Sequence, residues 1–194
     1  MTHSLVRTAN REDETMTETA TLTGERADLL AILARQREFL RATTRGLTDE
    51  QAGLRPTVSS LCLGGLIKHV TTGERHWVDF ILHGPRALTP DGKPWAEWDN
   101  TDYAEYHKEF QMQPGETLAG VLAAYAETAR RTERIVAELP DLDTAHPLPE
   151  APWFEPGAVW SARTTLLHII AETAQHSGHA DIIREALDGA KTMG

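Results

Sequence analysis

One cysteine, Cys62, occurs in the 194 residues. An intrachain disulfide is thereby excluded, as is a zinc module built on several thiolates. Cys62 itself reads as a small core side chain. Lysine is scarce as well, with four Lys beside 15 Arg. Basic residues number 19 against 29 acidic ones, for a formal net charge of −10. A nucleic-acid binder needs a basic surface to neutralise phosphates. An anionic membrane surface favours Lys/Arg clusters. Neither nucleic acid nor membrane is therefore an expected partner. No apolar run approaches the ~20 residues of a membrane span. The first residues, MTHSLVRTANREDETMTETATLTGE, lack the apolar segment of a secretory signal. The expected location is cytoplasmic. Strand-type alternation of useful length is missing too.

What is present is a chain with 40% hydrophobic residues, enough for a sizeable core. Residues 1–23 are rich in Thr, Glu and Arg and read as a disordered tail, with Met16 an alternative start. Residues 24–194 read as a single domain. Leu29, Ile32, Leu33, Gln36, Phe39 and Leu40 follow helical spacing from Glu25 to about Arg45, with Gly46 as the stop. Thr48 and Gln51 form a capping box for a short helix that Pro56 ends. Ser59 or Ser60 is the expected cap of a second long helix, stopped by Gly84-Pro85 after His83. A third runs from Glu116 to Leu139, and a fourth spans about 162–188 with Gly189 just beyond it. Proline-rich connections fill 85–115 and 140–160, the first with a short helix near 101–110. Loops of that length are uncommon unless they do something, such as covering a site. The predicted architecture is all-α, a four-helix bundle with two long connecting loops.

Bundles build metal sites from side chains on facing helices. At about 100° per residue, His69 falls on the shoulder of the second helix's apolar face, near Cys62, Leu66 and Phe80. On the fourth helix His168, Glu172, His176 and His179 share an arc that continues into Ile183 and Leu187. Glu172 and His176 are one turn apart, so both can reach one ion. A solvated Glu–His pair and a hydrogen-bonded core histidine are the plain alternatives. Charge on a buried arc, however, needs a partner or a metal.

The segment LLHIIAETAQHSGHADIIREALDG (Leu166–Gly189) resembles the last bundle helix of the DinB-like superfamily, in its actinobacterial mycothiol-transferase branch. RQREFLRATTRGLTDEQAGLRPT and LGGLIKHVTTGERHWVDFILHG resemble the first half of that branch, and the resemblance spans about residues 24–190. It implies a bundle with a divalent metal inside, held by His69, Glu172 and His176. Many DinB-like proteins place two His, four apart, on the last helix. Glu172 departs from this and is similar to the His, Glu, His set of mycothiol-dependent maleylpyruvate isomerase. Zn²⁺ suits such a mixed site, and Ni, Mn or Fe are compatible with it. His168, His179 and Arg184 are candidates for orienting a ligand or binding substrate, Arg184 through its carboxylate-matching fork.

The function implied is a metal-dependent S-transferase. The metal would hold mycothiol as its thiolate for attack on a small electrophile, in detoxification or a biosynthetic step. Addition followed by elimination would make it an isomerase. Trp95, Trp98, Trp153, Phe154 and Trp160 could wall the electrophile pocket or merely close the ends of the bundle. A metal-dependent hydrolase using a metal-bound hydroxide and a non-catalytic metal-binding bundle remain open alternatives. A homodimer is the assembly common among such proteins.

Overall fold

Among the described residues six α-helices follow one another: α1 (Glu25–Ala42), α2 (Asp49–Gly53), α3 (Leu63–His83), α4 (Asn100–His107), α5 (Leu118–Glu138) and α6 (Ala162–Asp188). Two three-residue strands, β1 (Ala145–Pro147) and β2 (Val159–Ser161), pair antiparallel before α6. The computed structural model describes residue 22 and residues 24–89 and 93–192. The tail expected over 1–23, with Met16 in it, lies outside the described residues apart from residue 22. Among the described residues no helix is long and apolar enough to cross a membrane.

Local signals place most boundaries. The Thr48–Gln51 capping box forms at α2. α6 ends at Gly189, whose φ of 80° is the left-handed conformation that glycine adopts without penalty. α1 stops at Ala42, short of Arg45, and a turn carries the chain through Gly46. α5 starts at Leu118 rather than Glu116. The Thr117 hydroxyl accepts from the Gly120 N–H, while Glu116 accepts from Lys68 and the Gln113 N–H instead. The expected serine cap of α3 is absent. The Ser59 hydroxyl accepts from the Leu61 N–H inside a turn, and Cys62 occupies the cap position with no side-chain bond. β1 and β2 went unread because three residues are too few to display alternation.

The four long helices form the bundle, with two apolar clusters stacked along its length. Leu29 and Leu33 of α1, Val78 and Ile81 of α3, Val136 of α5, and Leu166 and Ile169 of α6 make one. Leu40 of α1, Leu66 and Val70 of α3, Val121 and Tyr125 of α5, and Ala180 and Ile183 of α6 make the other. The order of these residues along each helix gives its direction. α1 and α6 run one way, α3 and α5 the other. Parallel α3 and α5 cannot be joined by a tight turn, because the chain must return along 21 helical residues, about 30 Å. The crossover 84–117, which contains α4, makes that return.

Between the two clusters lies a polar waist. Arg37, Glu74, Thr132, Thr173 and Ser177 are all buried there. Both Arg37 Nε (3.1 Å) and Nη2 donate to the Glu74 carboxylate, and the Thr132 hydroxyl donates to it as well. Thr173 and Ser177 donate back to carbonyls one turn earlier in α6. A charged pair in a dry core is tolerable only when matched this closely.

Candidate metal centre and its cavity

His69 and Glu74 leave α3 on adjacent turns, so His69 stands beside the polar waist. Glu172 and His176 leave α6 at the same level. One ligand-type atom from each of His69, Glu172 and His176 lies within 4.8 Å of the others. The two imidazole rings meet edge to face, with centroids 4.9 Å apart. His176 Nε2 is 3.6 Å from Glu172 Oε2. The neighbouring His176 ring holds the Glu172 carboxyl below the usual carboxylate range, against the upward push of burial. Among the described residues no Lys or Arg pairs with Glu172. A half-buried carboxylate between two imidazoles, with no fixed cation, is a donor set that fits a divalent ion of the zinc type.

The three groups sit in a cavity of about 300 Å³ between α3 and α6. Trp77 of α3 forms one wall. Leu88, Trp95 and Tyr106 of the crossover form another, and Trp153 and Phe154 of the 140–160 connection close the rest. Trp98 stacks behind Trp95 at 3.9 Å, and Trp160 behind Trp77 at 5.1 Å. The loop aromatics thus divide: Trp95, Trp153 and Phe154 face the cavity, while Trp98 and Trp160 buttress its walls. Among the described residues the lining carries Glu109 and Glu172, with Glu74 already paired to Arg37, but no Lys or Arg.

The remaining candidates fall in three places. His168 lines the cavity, edge-on to Trp77 at 4.5 Å, and burial pushes its pKa down. His179 stands behind His176, its Nδ1 3.4 Å from His176 Nδ1. Arg184 is elsewhere. It donates to Asp188 (2.9 Å) and to the carbonyls of Thr43 (2.8 Å) and Arg45 (2.9 Å), tying α6 to the end of α1.

Among the lining residues, His76, Tyr106 and Glu109 escaped the sequence reading. His76 lies seven residues after His69, a spacing that repeats one helix face and could have marked it. Burial lowers its pKa. Tyr106 and Glu109 come from the crossover, where no periodic signal exists. Burial, with the nearby Glu109 and Glu172 charges, raises the Tyr106 pKa.

Fold and cavity together define an all-α bundle of the DinB-like class. The family model for Mycothiol-S-transferase matches residues 28–189, and the chain belongs to that family. The family is one of thiol transferases by its name. No curated protein matches the chain. A conserved protein from Enterococcus faecalis, known from its crystal structure, is 13% identical. Its TM-score is 0.62, with 87% of this chain and 100% of that one covered. At that identity the likeness is one of fold alone.

Proposed function

We propose that this protein is a metal-dependent thiol S-transferase that joins mycothiol to a small, uncharged electrophile. The observation that supports this most directly is the convergence of His69, Glu172 and His176 on the floor of an aromatic cavity. In this reading these three residues hold a divalent cation, Zn²⁺ before Ni, Mn or Fe. When bound, the ion lowers the pKa of a thiol so that the reactive thiolate persists at neutral pH. The walls exclude water from the thiolate and hold the electrophile against it. Sulfur forms a bond to carbon, and either a halide departs or an activated double bond takes up the electron pair and a proton. Tyr106 keeps its phenolic proton well past neutrality. It therefore can donate a hydrogen bond to the electrophile from the cavity wall. His179 behind His176 steadies that ring.

The charge of the lining narrows the electrophile. With the Glu109 and Glu172 carboxylates facing inward, Glu74 already paired with Arg37, and no Lys or Arg among the described lining residues, the cavity offers a dicarboxylate no fixed cation beyond the metal to pair with. Flat, neutral molecules suit its indole walls better. Transfer is therefore favoured over isomerisation of a dianion.

The test is metal analysis of protein purified without a metal-affinity tag, joined to a conjugation assay with mycothiol and monobromobimane. About one divalent ion per chain, lost in His69→Ala, Glu172→Ala and His176→Ala together with conjugation, is the expected result. Unchanged metal content in all three variants overturns the proposal. So does turnover of the electrophile that needs no thiol.

A further inference from the structure

His69 Nδ1 is sealed from solvent and has no hydrogen-bond partner. A buried imidazole nitrogen left unpaired is destabilising, so a partner for it is expected. The ring's other nitrogen, Nε2, is the one left for the cavity. The closest charged group to Nδ1 is a carboxylate oxygen of Glu109, 3.8 Å away. The Glu109 side chain is about one-third exposed and has no Lys or Arg partner among the described residues.

Glu109 does not reach this position on a loose loop. It sits in the 3-10 turn Lys108–Phe110, directly after α4. That turn is pressed into a notch on α3. A Cβ on Gly65 would stand 1.9 Å from the Phe110 carbonyl oxygen, so only glycine admits the turn. Lys68 Nζ donates to the Gln111 carbonyl at 2.9 Å and fixes the exit of the turn. The Phe110 ring lies flat on the His69 imidazole, with centroids 4.0 Å apart and planes 25° apart. The crossover therefore delivers a ring to one face of His69 and a carboxylate to its Nδ1 edge.

We infer that Glu109 is a positioning residue for His69. It accepts the Nδ1–H, which selects the tautomer with a free Nε2 lone pair and turns that lone pair toward Glu172 and His176. A ligating histidine commonly gives its second N–H to a carboxylate, which fixes the ring and raises its basicity. Hydrogen-bond distance lies about 0.8 Å closer than the 3.8 Å between Glu109 and His69 Nδ1. The inference rests on the metal reading above, and the experiment separates the two.

Zn²⁺ affinity is measured on the full-length chain by competition with a chromogenic chelator, for wild type, Glu109→Ala, Glu109→Gln and His69→Ala. In parallel, the His69 ring N–H of the zinc-loaded protein is followed by NMR. Glu109→Ala is expected to weaken zinc by about 10- to 100-fold and to lose or shift the Nδ1–H resonance. Glu109→Gln keeps an acceptor oxygen and is expected to recover part of the affinity. The thermal midpoint of the metal-free protein should be unchanged in both, since the carboxylate is not a core group. Wild-type affinity in Glu109→Ala with affinity lost in His69→Ala overturns the role of Glu109 and leaves the metal reading standing. Wild-type affinity in His69→Ala removes both.

Discussion

Arg37 and Glu74 show what one residue can cost or contribute in this fold. The Glu74 side chain has 0% exposure and lies on the apolar face of α3, four residues from both Val70 and Val78. Its charge is tolerated because Arg37 and Thr132 saturate it. Removing one partner of such a pair leaves a bare buried charge, at about 3–5 kcal/mol. Arg37→Ala is therefore expected to lower the urea unfolding free energy by that amount, and Arg134→Ala, on a residue whose side chain is 59% exposed, by far less. Arg37 was findable in the sequence, since it stands four residues after Leu33 on the same stripe. A charge in register with leucines is a signal in itself. Its partner was not findable, because nothing local links positions 37 and 74. The buried histidines add a pH dependence. Burial lowers the pKa of both His76 and His168. The unfolded chain therefore takes up protons first, near pH 6.5, and stability falls as pH drops from there through the depressed folded values. Urea midpoints of metal-free protein between pH 8 and pH 5 should show this decline, and His168→Gln with His76→Gln should flatten it.

At the scale of elements, the crossover 84–117 is the piece that makes a site out of a bundle. Its docking depends on the small-residue notch in α3. Gly65→Ala places a methyl group against the Phe110 carbonyl, and overpacking of that kind costs about 1–3 kcal/mol. The variant is expected to melt lower and to lose zinc affinity as Glu109 and Phe110 retreat. Gly73 gives the contrast within the same helix. A Cβ there meets nothing within 4 Å, and Ala is favoured over Gly in a helix by about 1 kcal/mol. Gly73→Ala should be neutral or stabilising in thermal melts. The helices themselves were legible, because periodicity, the Thr48 box and Gly189 all act within a few residues. The cap of α3 was not, because Ser59 had a competing use in its own turn.

Over the whole molecule, the two apolar clusters stand on either side of the polar waist and include none of His69, Glu172 and His176. With an apolar core contributed by all four long helices, the fold is expected to stand without an ion at these residues. Chelator-treated protein is expected to keep its far-UV helical signal. Its melting temperature should rise again only with added metal, by the mass-action amount that depends on concentration over Kd. Loss of helical signal on chelation would contradict this. The antiparallel return of α6 beside α3 brings residue 69 within reach of 172 and 176, more than a hundred positions later. It also leaves the cavity acidic and aromatic rather than basic.

Composition, helical period and capping residues were enough to dictate an all-α bundle and to put His69 on one helix shoulder and His168, Glu172, His176 and His179 on one arc of another, because each of those features depends on neighbours at most one or two turns away. The choice of His69, Glu172 and His176 from that set came from the family resemblance. The pairing of Arg37 with Glu74, the diversion of Arg184 to the end of α1, and the delivery of Tyr106, Glu109 and Phe110 to His69 were settled only by packing. Those contacts join positions far apart along the chain, and no local pattern encodes where an aperiodic crossover comes to rest.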